Sequence, residues 1–107
     1  MLYNVLKYNV VDDEIEEVIK YYESISVELG LKVEKEIIAT LNKLTTKASH
    51  YFYLSNKIHR RIVVNGFPYI FAYSIETNDV IVKILFPQKT NPTKLLDRLI
   101  NPHSLSG

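Results

Sequence analysis

The pattern of apolar and polar positions divides the chain into short alternating runs and two longer runs of helical period. From Tyr3 to Tyr8 or Val10, Tyr3, Val5 and Lys7 fall on one side and Leu6 and Tyr8 on the other, which predicts a first strand. Asp12 and Asp13 then offer helix N-caps, and Glu14, Glu16 and Glu17 put negative charge where the helix dipole favours it. Ile15, Val18, Ile19 and Tyr22 follow with the spacing of one helical stripe, which ends near Ser24–Ser26. A second helix restarts at Ser24 or Ser26 and runs to about Thr45. Its apolar stripe is Leu29, Val33, Ile37, Leu41 and Leu44, and Lys32, Glu36 and Lys43 form the solvated side. Gly30 interrupts it and allows close approach to the first helix, so the pair reads as an antiparallel helical hairpin.

Residues 45–56 have no clear period and read as a loop, with room for one turn of helix. Strands return at Ile58–Val64, Tyr69–Ile75 and Val80–Phe86. Asn65-Gly66 predicts a type I′ hairpin turn, Pro68 should open its strand, and Glu76-Thr77-Asn78-Asp79 supplies the second turn. Strands joined this closely form an antiparallel meander. In its middle strand, Tyr69, Phe71, Tyr73 and Ile75 alternate with Ile70, Ala72 and Ser74. In its last, Val80, Val82, Ile84 and Phe86 are expected on one face and Ile81, Lys83 and Leu85 on the other. Pro92 starts a final helix through Ile100, and the tail after Pro102 is expected to fray. The predicted fold is one α+β domain over residues 1–107. An N-terminal strand precedes a helical hairpin packed on an antiparallel sheet, then come a three-stranded meander and a short final helix.

Composition narrows the class. The 107 residues are 47% hydrophobic and 23% charged, as in a folded globular domain rather than a disordered one. No apolar run approaches the ~20 residues of a membrane span, and the N-terminus lacks the features of a secretion signal. There is no cysteine, so disulfide and thiolate chemistry are excluded, and the expected setting is the cytoplasm. The net charge of +1 conceals −3 on residues 1–56 and +4 on residues 57–107. A basic C-terminal half suits phosphates or an acidic partner segment, although two ordinary solvated faces explain it as well.

The order of elements carries a family resemblance. Tyr21-Tyr22-Glu23 at the end of the first helix, the Leu29-Gly30 step, and Arg60-Arg61-Ile62-Val63-Val64 followed by Phe67-Pro68-Tyr69 and Tyr73 resemble the RelE/ParE toxin superfamily. So does the close, Phe86 through Asn91-Pro92 and Leu95-Leu96-Asp97-Arg98. The resemblance covers Tyr3 to Arg98. It implies a small cytoplasmic bacterial toxin of a type II toxin–antitoxin system, held by a cognate antitoxin in a hetero-oligomer and linked to growth inhibition and plasmid stabilisation. Its ribonuclease branch cleaves mRNA in the ribosomal A site without a metal. Its ParE-like branch inhibits DNA gyrase, and Phe67-Pro68-Tyr69 leans toward that branch. The readings carried forward are a gyrase-binding toxin, a ribosome-dependent endoribonuclease and an inactive toxin-like protein.

Metal-free RNA cleavage needs a base, cations for the crowded phosphate charge and an acid. Arg61 aligns with the strand arginine that the ribonuclease branch aims at phosphate, and Lys89 lies near a second basic position. With Lys83 these are the catalytic candidates, and Arg60, Arg61, Lys83, Lys89, Lys94 and Arg98 are the candidate target- or phosphate-binding set. Arg60 and Arg61 point to opposite faces, and the sequence leaves open which meets the basic surface. The bland alternative for each is a surface cation. Two departures count against a nuclease: Leu95 stands where that branch carries a tyrosine, and Pro87 precedes Gln88 where many members have a histidine. His59 could serve as a base but fits a structural role better, while His50 and His103 lie in loop and tail. Tyr51, Phe52 and Tyr53 suit core packing better than base stacking. No metal-ligand spacing or glycine-rich phosphate loop is present, and no cofactor is expected.

Overall fold

The computed structural model describes residues 2–100, so the tail after Pro102 lies outside the described residues. The elements are β1 (Asn4–Lys7), α1 (Asn9–Ile25), α2 (Val27–Lys47), a 3-10 turn (Ala48–His50), β2 (Arg60–Val63), β3 (Tyr69–Glu76), β4 (Asp79–Pro87) and α3 (Pro92–Ile100). This is the predicted α+β order, with the sheet arranged β1-β4-β3-β2. The meander β2-β3-β4 is antiparallel as expected, but β1 lies parallel to β4, so the sheet is mixed rather than wholly antiparallel. The hairpin explains this. α1 runs on past β4, where Glu14 meets Leu85 and Tyr22 packs on Phe67 and Tyr69. α2 brings the chain back to the start of β1, where the Tyr3 amide donates to the Thr45 carbonyl. β2 therefore starts at the same end as β1, and an odd number of meander strands leaves β4 parallel to it.

Local chemistry accounts for the helix ends. Ser26 caps α2 as predicted, its Oγ accepting from the Leu29 amide at 3.1 Å. α1 instead starts before Asp12 and Asp13, with Tyr8 at the N-cap, so neither aspartate is a cap. Asp12 sits in the first turn and pairs with Lys7 at 2.7 Å. A Cβ at Gly30 would collide with Glu23 Cγ and lie 3.2 Å from Glu23 Cα, so the close approach of the helices requires glycine. Gly30→Ala gains up to about 1 kcal/mol of helix propensity but must push a neighbouring backbone outward. We expect a net loss of about 1 kcal/mol, read from the urea midpoint at unchanged slope.

Both turns fall where expected, but the first differs in type. In the hairpin, the Phe67 amide donates to the Val64 carbonyl and Gly66 has φ +81°, while Asn65 is absent from the positive-φ residues. One positive φ, at the second central position, is a type II signature and not the I′ turn predicted. Thr77 takes φ +57° in the next turn, an uncomfortable conformation for a β-branched residue.

The larger core lies between the hairpin and one sheet face. Val11, Val18, Val33, Ile37 and Leu44 meet Ile62, Phe71, Tyr73, Val80, Val82 and Leu85 there, each worth roughly 1.5–3 kcal/mol of burial for the large aliphatic and Phe side chains. The buried line of α2 is Gly30, Val33, Ile37, Thr40 and Leu44, with Leu29 and Leu41 only half-buried beside it. A smaller core forms on the opposite face, where Ile70, Ala72, Ile84 and Phe86 are covered by Leu95 and Leu99 of α3. The expected single face of Val80, Val82, Ile84 and Phe86 is therefore split. Tyr73 pairs with Val82 and Ala72 with Ile84, so Lys83 is an extra residue in β4, and this bulge reverses the parity of everything after it.

Candidate functional site

The face of the sheet carrying α3 holds most of the polar chemistry, because the register of β2 sets which cations arrive there. Arg60 pairs with Tyr73, on the hairpin side, and Arg61 with Ala72, on the α3 side. Arg61 is therefore the arginine that faces the α3 side. Its guanidinium is exposed, has no hydrogen-bond or ion-pair partner among the described residues, and lines a cavity of about 290 Å³. Tyr53, Leu54 and Ser55 wall this cavity on one side and Gln88, Pro92 and Leu96 on the other, over Ile70, Phe86 and Leu95. A single cation stands over an apolar floor with a polar rim.

Arg60 is committed elsewhere. It donates to the Tyr51 carbonyl and the Tyr53 hydroxyl, each at 2.8 Å, and its guanidinium carbon lies 3.9 Å from the Tyr53 ring centroid. A single antiparallel bridge, Tyr53 to Arg60, aligns the loop with β2 at the same place. The Tyr51 and Phe52 carbonyls and the Tyr53 side chain thus hold a loop to a strand edge, whereas the Phe52 ring is 80% exposed and, with half-exposed Tyr53, does not pack in the core as expected. Nearby, Tyr73 is fully buried and donates to the Ala48 carbonyl at 2.6 Å, and burial pushes its hydroxyl's pKa well up. Tyr73→Phe strands that carbonyl, and we expect it to cost about 1–2 kcal/mol by thermal or urea unfolding.

On the same side as Arg61 lies a chain of polar contacts through Asn56, His59 and Lys83. Asn56 Oδ1 accepts from the Ile58 and His59 amides, so its Nδ2 faces His59 Nδ1 at 2.9 Å. Nε2 lies 3.1 Å from Lys83 Nζ, so the ring stands between two donors, and a neutral imidazole has a single acceptor nitrogen to offer them. His59 is only 5% exposed. Burial, and secondarily the Lys83 charge, lowers its pKa from 6.5 to about 4. With its one acceptor nitrogen facing a buried donor and its charged form disfavoured by burial, His59 is poorly placed to take up a proton. Lys83, the extra residue of the bulge, reaches His59 and is half-buried there. Ser74, next in register after the Arg60–Tyr73 pair, is buried with its hydroxyl unpartnered among the described residues.

The remaining cations lie apart from this cluster. Lys89 is exposed in the turn after β4 and Lys94 is exposed on α3. Arg98 pairs with Glu14 at 3.0 Å, and the other oxygen of that carboxylate accepts from the Leu85 amide, also at 3.0 Å. Glu14 thus fastens α1 to both β4 and α3, a role invisible in a sequence where it looks like one of several first-turn acids. The six predicted cations do not converge. Arg60, Lys83 and Arg98 are engaged in internal contacts, while Arg61, Lys89 and Lys94 face outward at separate points. Among the described residues, no group of three His, Asp or Glu side chains is placed to hold a metal, and no helix is long and apolar enough to cross a membrane.

No protein-family model matches the sequence, and no curated protein matches it either. Solved structures do. A chain of the chromosomal ParDE TA system from P. aeruginosa superposes with a TM-score of 0.69 at 11% identity, over 80% of this chain and 96% of that one. At that identity the likeness shows the fold, which is RelE/ParE-like.

Proposed function

We propose that this chain is the toxin of a type II toxin–antitoxin pair, that it acts by binding a macromolecular target, DNA gyrase being favoured, and that a cognate antitoxin neutralises it in the bacterial cytoplasm. The supporting observation is the near-complete coverage of a chain from a ParDE system by so small a domain. The arrangement of side chains favours binding over RNA cleavage. Leu95 is 6% exposed and belongs to the second core, so an aromatic acid or base has no counterpart at that position. Arg61 stands without a neighbouring base, since His59 is spent on Asn56 and Lys83. A surface cation over apolar ground is the chemistry of an interface anchor. Arg61, Lys89 and Lys94 are the residues proposed to meet the target.

Two assays separate the targets. Purified gyrase should lose supercoiling activity when the chain is added in excess. Primer extension on cellular mRNA after induction should show no codon-phased cuts. Undiminished supercoiling together with phased cuts that vanish in Arg61→Ala would replace this reading with the endoribonuclease.

A further inference from the structure

β1 covers only part of the edge of β4. Asn4–Lys7 pair with Asp79–Val82, and among the described residues no strand lies on that side of Lys83–Pro87. The Tyr8 amide closes the ladder on the Val82 carbonyl, after which the chain turns into α1. The bulge at Lys83 shifts the parity, so it is the Leu85 amide that faces the uncovered edge. In place of a strand, Glu14 Oε1 accepts from that amide at 3.0 Å. Here the molecule also has a groove of about 460 Å³, walled by Val18 and Tyr21 of α1, floored by β4, and closed by Lys94, Leu95 and Arg98 of α3.

We propose that this groove is a strand slot, in which an extended segment of a partner protein continues the line of β1 along β4 with a carboxylate side chain on Arg98. Glu14 acts as the resident plug. Its two oxygens make the two contacts that the incoming segment would supply: an acceptor for the Leu85 amide and a carboxylate for Arg98. An uncovered edge amide selects a polypeptide backbone. The apolar walls on both sides suit alternating aliphatic side chains; the groove carries Glu14 and Glu17 as well as Lys94 and Arg98, so its preference for a carboxylate lies at Arg98, which already holds one from Glu14. That the segment belongs to an antitoxin rests on the function proposed above. The slot itself is tested without one.

The probe is a short acetylated and amidated peptide, Thr-Val-Leu-Glu-Val-Thr, beside its twin with Gln for Glu, titrated into the full chain and followed by backbone amide NMR. Shifts should centre on Leu85 and its β4 neighbours, and the Gln twin should bind about fivefold more weakly, as loss of one charge-assisted contact implies. Glu14→Ala removes the plug and should bind the Glu peptide about fivefold more tightly, whereas Arg98→Ala should erase the preference for Glu over Gln. A well-dispersed spectrum for each variant establishes that it is folded. If Glu14→Ala is unfolded, Glu14→Gln must show the same tightening in weaker form. No shifts in the wild type and the plug variants, or shifts centred elsewhere, would overturn the slot while leaving the toxin reading untouched. Failure of the chain to arrest growth would remove the antitoxin as occupant while leaving the slot standing.

Discussion

Acidifying the folded protein from pH 7 to pH 4 should remove about 3 kcal/mol of stability through His59 alone. The folded ring takes up a proton only near pH 4, because it is buried and Lys83 stands beside it, while the unfolded ring does so near 6.5. Between those values the unfolded chain binds more protons, so every step down in pH favours unfolding. Above 6.5 both states are neutral there and the contribution is fully present. The measurement is the urea midpoint as a function of pH, compared with His59→Gln, which cannot titrate. The variant should be less stable at pH 7, having lost the fit to Asn56, yet its stability should fall less between pH 6.5 and 4. Parallel curves for the two proteins would mean that His59 charges freely in the folded state. Carboxylates also contribute to both curves in the lower part of this range, which makes the difference between the proteins the informative quantity.

The largest functional effect should come from Arg61. It is the exposed guanidinium that β2 presents to the α3 side, over the cavity floored by Ile70, Phe86 and Leu95. Because its side chain makes no hydrogen bond or ion pair among the described residues, and its backbone contacts survive substitution, replacing it leaves the core intact. Arg61→Glu reverses the charge at the proposed interface and should weaken target binding about a hundredfold, while moving the thermal midpoint little. Lys35→Glu, on the exposed side of α2, is the matched control and should change neither. Arg60→Gln should show the reverse pattern, with lost stability and retained binding, since Arg60 holds the Tyr51–Tyr53 loop. Equal loss of binding from all three charge changes would mean that a diffuse field, not a docked residue, carries recognition.

Periodic features of this fold were legible in the sequence, and features that depend on one residue were not. The stripes of α1 and α2, the cap at Ser26, the alternation of Tyr69 through Ile75 and the start of α3 at Pro92 follow from spacing and from intrinsic chemistry. The bulge at Lys83 left no such mark, because a lysine amid aliphatic residues looks like an ordinary outward position of a regular strand. That one insertion decides which face Ile84 and Phe86 cover and creates the second core beneath α3. Asn65-Gly66 correctly marked a turn but not its type, since an Asn-Gly pair serves both and Pro68 lengthens the connection. The parallel placement of β1 depends on where α2 delivers the chain, which only the packed hairpin determines.

The candidate site divides along the same line. The basic residues were identifiable as charges, but whether each is committed inward or free depends on partners far away in sequence: Tyr51 and Tyr53 for Arg60, His59 for Lys83, Glu14 for Arg98. The Asn56–His59 contact had a readable signal, an Asn three residues before a His in a turn-rich stretch, where Asx turns are common. Glu14 had none, because its helical position serves equally well for dipole stabilisation and for reaching the β4 edge.

The most direct test of the central claim is viability after tightly controlled expression of the chain alone in a bacterial host, with soluble protein verified by immunoblot. Colony-forming units should fall by orders of magnitude on induction with the wild type, and Arg61→Glu at the same level should restore them. Normal growth with abundant soluble wild-type protein would contradict the claim.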